Sequence, residues 1–399
     1  MNSHFAYYPI MESIYFDWAA TAAIRPEIPE IITKSLFEIQ GNPSSIHSPG
    51  KIARKNIDSS RKLCADLMET KPDQLIFTSG GTESNNIVLS SLFLKKPGSH
   101  IIISAIEHPS IYEYITNFKK VAIEIDIIKP ASNGIIEPEK IKYLLRPTTI
   151  FVSIMAVNNE TGAIQPIKEI TSIIREYEKK NGRSIHIHTD AVQALGKITF
   201  SPTLLNIDSA SFSSHKIGGP KGVGMLFLKK PIEVLSPGGG QEFSIRPGTE
   251  NVSGIMAFTK ALQISFDNFE NNFKNILILK TMLINHLLEI KGLKLFFETG
   301  NNLEKLYSPY ILSATVAPLP GEVLVRILSD EGIQISTGSA CSSRNRKKQL
   351  RVLASSGISE KEAAGSIRIS LGWSSTENEI RTFCTILEKK LSELRKYHT

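Results

Sequence analysis

The chain has 399 residues, 41% hydrophobic and 21% charged, an ordinary globular composition that excludes a disordered or fibrous protein. Lysine and arginine outnumber aspartate and glutamate 46 to 39, a net charge of +7. The cations are scattered along the chain, so the excess suits an anionic cofactor or partner, and direct nucleic-acid binding is not expected.

At about 150 residues per domain the length predicts two or three domains. Three cysteines, Cys64, Cys341 and Cys384, cannot build a disulfide framework, and without a Cys-x-x-Cys pair they argue against structural zinc. No run approaches the roughly 18 apolar residues of a membrane span, and the N-terminus has neither a secretory nor an arginine-rich targeting pattern. A cytoplasmic location and no membrane partner are therefore expected. Residues 1–10 form a short arm unless Met11 is the start.

A strand-like run at Ser13 to Phe16 comes first. From Ile14 to Leu228, short apolar runs then alternate with helical patterns. The runs are Leu75–Thr78, His100–Ser104, Ala122–Ile128, Ile150–Val157, Ile185–Thr189, Ser209–Ser213 and Met225–Leu228, with helices such as Glu83–Leu94 and Ile167–Lys180 between them. Runs buried on both faces and separated by helices predict an α/β fold around a mostly parallel sheet, with functional residues at the carboxyl ends of strands. After a Gly/Pro-rich stretch, a long helical pattern covers about Asn251 to Ile290. Strands at Leu293–Phe297, Ile311–Ala317, Ile333–Ser336 and Ser366–Leu371 follow, with helices at Gly321–Glu331 and from Thr376 to about Tyr397. We expect a large domain at 14–255 and a smaller α+β domain at 256–399, with residues 1–13 packed on the latter.

Five motifs carry chemistry. Thr78–Asn86 places two glycines between a strand and a helix, where free amides attract an anion such as phosphate; alone it is also an ordinary strand-to-helix turn. Ile185–Gln193 ends a strand in Asp190. His186 and His188 share one strand face there, but no third ligand makes a metal site, and none is expected. Ser211–Gly222 sets Lys216 between a strand end and a glycine turn, suited to a Schiff base if burial or a nearby cation frees its amine. Cys341, in a small-residue segment, precedes four cations within seven residues, which favours a thiolate. Gly365–Gly372 presents Arg368 on the strand face opposite Ile367 and Ile369, a rigid fork for a carboxylate. Cys64 and Cys384 fall on apolar helix faces and read as core. A phosphate loop, an acid and a lysine, in that order and each after a strand, are the parts a pyridoxal-phosphate enzyme needs.

With those parts in place, the chain resembles the pyridoxal-phosphate cysteine desulfurases of the NifS/IscS type, within the class-V aminotransferase-like proteins. The landmarks are Tyr15–Thr21, Gly41–His47, Thr78–Asn86, Glu107-His108, Val157–Gly162, Asp190–Gln193, Ser213–Gly222, Gly238–Asn251 and Ser339-Ala340-Cys341. Each is weak alone; the ordered set is specific.

The resemblance implies the fold type I aminotransferase architecture, a homodimer, and pyridoxal 5'-phosphate as cofactor. Lys216 would carry the cofactor, Asp190 would meet its pyridine nitrogen, and His108 would stack on its ring and assist proton transfer. Gly81, Thr82, Ser213 and His215 would hold the phosphate, with Thr249 reaching in from the second subunit. Asn159 and Gln193 would bond the ring oxygen and nearby atoms. Arg368, with Asn159, would bind the substrate. L-cysteine would become L-alanine and leave a persulfide on Cys341, for a protein acceptor in iron–sulfur cluster assembly or tRNA thiolation. The Cys341 setting is that of the group with a long catalytic loop. A selenocysteine lyase, a generic aminotransferase and a weakened scaffold of the same fold are the alternatives. Three departures stand out: Phe243-Ser244 replaces the usual Arg-Gly, Arg344–Arg351 replaces a Leu-Glu-Pro segment and is one residue longer, and Trp373 replaces a smaller or basic residue. They bear on which acceptor docks.

Overall fold

The apolar runs of the first half assemble into one sheet in the computed structural model, which describes residues 13–297, 303–338 and 350–396. After β1 (Ile14–Tyr15) come β2 (Leu75–Thr78), β3 (His100–Ser104), β4 (Glu124–Ile128), β5 (Thr149–Ser153), β6 (His186–Asp190), β7 (Ser209–Ser213) and β8 (Gly224–Leu228). Strands β2 to β8 lie in the order β2-β8-β7-β6-β5-β3-β4. The pairs among β3 to β7 are parallel, while β8 runs antiparallel to both β2 and β7. It follows that β2 points the same way as β7, and the ends of β2, β3, β5, β6 and β7 share one edge.

Two strands of this seven-stranded sheet are shorter than their apolar runs. Ala122 has a positive φ of 56°, so the turn ends there and pairing starts only at Glu124. Beyond Ser153 the chain still follows β6, with Ile154 N and Ala156 N donating to His188 O and Asp190 O, but Val157 then turns to bridge Ile164.

The long helical pattern is two helices, Val252–Asp267 and Phe269–Glu289, broken at Asn268 (φ −106°, ψ 12°). The Asn268 amide donates to Ile264 O, competing with the helical ladder as short polar side chains do. Phe258, Ala261 and Leu262 of the first helix sit in the sheet's core. Ile276, Leu283 and Leu287 of the second belong to another core. The expected boundary at 255/256 falls inside the first helix, and we place the division at Asn268.

The second core is built on β9 (Lys294–Leu295), β10 (Ile311–Thr315), β11 (Ile333–Gln334) and β12 (Ser366–Ser370), with β12-β10-β9 antiparallel. Helices Gly321–Asp330 and Glu377–Lys396 cover it. The N-terminal segment joins the two halves. Strand β1 pairs with β11 and Phe16 and Ala19 enter the second core, after which Ala22 N and Arg25 N donate to His215 O and Gly218 O on the sheet side. Cys64 and Cys384 are buried, and burial pushes their thiols up to about 11 and about 12. Among the described residues no helix is long and apolar enough to cross a membrane.

Candidate active site

Each predicted site residue of the sheet lies where its strand ends. Gly81 opens the helix Gly81–Ser90 after β2, and His108 follows β3. Asn159 follows β5, Asp190 closes β6, and Ser213–Lys216 closes β7. A Cβ at Gly81 would lie 2.5 Å from Val192 Cγ2 and 3.8 Å from Ser213 Cβ. A side chain at position 81 would thus press on Val192 of the loop after β6. Lys216 stands at the junction of the two halves, its Nζ donating to Ala19 O (2.7 Å) and Ala20 O (2.6 Å). His215 Nδ1 bonds Thr21 Oγ1 at 3.1 Å, and burial with nearby lysines pushes its imidazole down to about 3.

Asp190 is 5% exposed and accepts from Val192 N (3.1 Å) and Asn85 Nδ2 (2.8 Å). The chain of bonds continues outward. His188 Nε2 meets Asn85 Oδ1 at 3.0 Å, His188 Nδ1 meets Ser209 Oγ at 2.8 Å, and His186 Nε2 meets the same Oγ at 2.7 Å. Asn85 turns its NH2 to Asp190 and its oxygen, which can only accept, to His188. This assigns the proton of each imidazole to Nε2, and every donor in the run His186–Ser209–His188–Asn85 points toward Asp190. Burial holds His186 and His188 neutral, pushed down to about 4 and about 3. The two histidines that shared a strand face thus serve the aspartate. Among the described residues no group of three or more His, Cys, Asp or Glu is arranged to hold a metal.

His108 caps the short helix Pro109–Tyr112; its Nδ1 accepts from Ser110 N and meets Ser110 Oγ at 2.8 Å, which leaves Nε2 to carry the ring proton. Burial, and then the Lys216 and Arg351 charges, push it down against the opposing pull of Asp190. Arg368 is 3% exposed, donating to Asn159 O (2.9 Å) and Asp17 Oδ1 (2.7 Å). Its Nε has no partner among the described residues. Thr82 and Thr249 are exposed, and Thr249 makes no hydrogen bond to the pocket among the described residues. Cys341 and the cations Arg344–Lys348 lie outside the described residues. Arg351 lies within them: its guanidinium sits 3.8 Å from the Tyr112 ring centroid and donates to Ala105 O and Glu107 O, beside His108.

The Aminotransferase class-V family model matches residues 14–383. The cysteine desulfurase IscS of Dictyoglomus turgidum is 36% identical over 386 residues, 96% of this chain and 95% of that protein. That of Methanosarcina thermophila is 35% identical over 96% and 93% of the two chains. The chain belongs to the class-V aminotransferases, among the cysteine desulfurases. Among solved structures, a NifS-like protein superposes with a TM-score of 0.86 at 34% identity, covering 95% of this chain and 99% of its own. The NifS-like protein from Rickettsia africae gives 0.83 at 31%, covering 96% and 99%.

The donor set fits the pyridoxal phosphate that class-V enzymes use. It supplies a fixed acceptor at Asp190, a glycine-lined helix start beside Ser213 and His215 for the phosphate, and an amine at Lys216. Reading the sequence alone missed the supports: Asn85, Ser110, Asn158 and Asp17. Asn158 Oδ1 accepts from Glu160 N, Thr161 N and Thr161 Oγ1, locking the turn that carries Asn159. The Phe243 departure also has a structural role. Arg61 pairs with both oxygens of Glu242 (2.8 and 2.6 Å) while its guanidinium lies over the rings of Phe77 and Phe243 at 4.8 and 5.0 Å. Trp373 packs edge-on to Trp18, with Arg25 over its ring.

Proposed function

We propose that the chain removes sulfur from L-cysteine, releasing L-alanine and leaving a persulfide on Cys341 for a protein acceptor. The observation that carries this is the convergence of Lys216, Asp190, His108 and the Gly81 helix start on one sheet edge, in a chain similar along its whole length to cysteine desulfurases. Pyridoxal 5'-phosphate supplies an electron sink for the carbanion left when the substrate loses its α-proton. Asp190, held by Asn85 and Val192 N, would meet the pyridine nitrogen and favour its protonated form. Lys216 Nζ would hold the cofactor and exchange protons with the substrate; His108 Nε2, on a ring whose charged form burial disfavours, would assist. Gly81, Thr82, Ser213 and His215 hold the phosphate, with Thr249 of a second copy completing the site in a homodimer. Asn159 and Gln193 would bond the cofactor's ring oxygen and its surroundings. Arg368, seated by Asp17 and the Asn159 carbonyl, offers its guanidinium to the substrate carboxylate. Cys341 then takes the sulfur: its thiolate attacks the substrate sulfur, the S–Cβ bond breaks, and its electron pair stays on the carbon skeleton that becomes alanine.

The four cations that follow Cys341 in the sequence favour its thiolate and suit an acceptor with an acidic docking surface, such as an iron–sulfur scaffold or a tRNA-thiolation enzyme. The test is Lys216→Ala beside wild type. Wild type should carry cofactor with a visible absorbance band and desulfurate L-cysteine. The variant should lose both the band and the activity. Wild-type protein that takes up no cofactor would overturn the reading, and a preference for selenocysteine would redirect it to the lyase.

A further inference from the structure

Lys197 is a buried amine to which the mechanism above gives no task. It is 8% exposed, and its Nζ donates to Gln193 Oε1 at 2.9 Å. The Tyr310 ring centroid is 5.9 Å away. Burial, and then the charges of Lys216 and Arg368, push it down to about 7. Whether charged or neutral, it has N–H groups to give, and a carbonyl oxygen can only accept them. The Gln193 amide is therefore fixed in one orientation, with its oxygen on Lys197 and its NH2 on the opposite side. One N–H of that group donates to Ala19 O at 2.8 Å, the same carbonyl that accepts from Lys216 Nζ at 2.7 Å. The second N–H has no partner among the described residues.

We propose that Lys197 is a positioning residue that locks the Gln193 amide with its NH2 toward the Lys216 pocket, where the free N–H donates to the cofactor's ring oxygen. The inference rests on the functional reading above. Without Lys197 the amide keeps only its bond to Ala19 O, so one of the two contacts that fix its orientation is lost and the NH2 is held less firmly toward the pocket.

The experiment uses the holoenzyme with two readouts, the dissociation constant for pyridoxal 5'-phosphate and the position of the visible band. Lys197→Met should weaken cofactor binding roughly tenfold, the scale of one hydrogen bond to a charged acceptor, and should shift the band. Gln193→Ala should do the same, and adding Lys197→Met to it should change neither readout further. Lys197→Arg should restore both. Gln193→Glu keeps a partner for Lys197 but has no N–H, and it should behave like Gln193→Ala; this holds the test open if Lys197→Met does not fold. Unchanged binding and band in Lys197→Met, additive effects in the double variant, or wild-type behaviour of Gln193→Glu would each overturn the proposal. A wild-type chain that binds no cofactor fails at the earlier step, a result distinct from all of these.

Discussion

Replacing Asn85 by alanine should destabilise the fold by about 2.5–6 kcal/mol. The magnitude comes from its partners. Asn85 Nδ2 gives Asp190 one of its two described hydrogen bonds, at 2.8 Å, and a bond to a charged group contributes roughly 1.5–3 kcal/mol. Its Oδ1 is the acceptor for His188 Nε2, whose ring is 0% exposed. Leaving that N–H without a partner costs roughly 1–3 kcal/mol more. The assay is urea unfolding of both proteins at about pH 8, where the imidazoles are neutral folded or unfolded, read as a shift in midpoint at constant slope. Asp190 loses its placement at the same time, so cofactor binding should weaken in parallel. His188→Phe made on top of Asn85→Ala should cost at least about 1 kcal/mol less than in wild type, because the pair acts as a unit. A loss under about 1 kcal/mol for Asn85→Ala, or full additivity with His188→Phe, would refute the linked chain.

Three further predictions follow from buried charge and backbone conformation. His186 and His188 are held down at about 4 and about 3 from an ordinary 6.5, so between those values the unfolded chain binds protons that the folded chain does not. Stability should be full above about pH 6.5 and fall as pH drops toward 3; His186→Leu should flatten the acid limb of a stability–pH curve, and an unchanged slope would contradict the assignment. Arg61→Met should cost roughly 3–5 kcal/mol by stranding the buried Glu242 carboxylate. Arg381→Ala, which removes an exposed helix pair with Glu377, should cost under about 0.5 kcal/mol, and comparable losses would refute the contrast. Ser244 has φ 62° in a run with Glu242 and Phe243 at 46° and 56°, so Ser244→Gly should raise stability by roughly 0.5–1 kcal/mol, read as a higher unfolding midpoint.

The sheet and the strand-end positions of the candidate residues were legible because both follow from short-range rules. Strands buried on both faces read as apolar runs, and in such a sheet the polar residues that follow a run stand at its carboxyl edge. Asp190 and Lys216 are found that way, whereas His108 came only from the resemblance. Asn85 lay inside a motif already noted, but its role depends on His188 and Asp190, about a hundred residues along the chain and brought alongside only by the β6 pairing. Lys197 was missed because a single lysine four residues beyond Gln193 reads as a solvated turn of chain until burial is known. The break at Asn268 was hidden by continuous helical periodicity on both sides; only the change of core, from Leu262 to Ile276, shows that the two helices serve different halves. Arg351 read as part of a basic run, yet it turns inward onto Tyr112, which charge patterning cannot foresee.

The most direct test of the account is alanine released from L-cysteine by the purified protein, measured with Cys341→Ala, Cys64→Ala and Cys384→Ala beside it. Wild type, Cys64→Ala and Cys384→Ala should all release alanine, and intact-mass analysis should find one added sulfur on each. Cys341→Ala should bind cofactor normally, carry no added sulfur and release no alanine. Alanine formed at the wild-type rate by Cys341→Ala, or added sulfur persisting in that variant, would contradict the assignment of Cys341 as the residue that takes the sulfur.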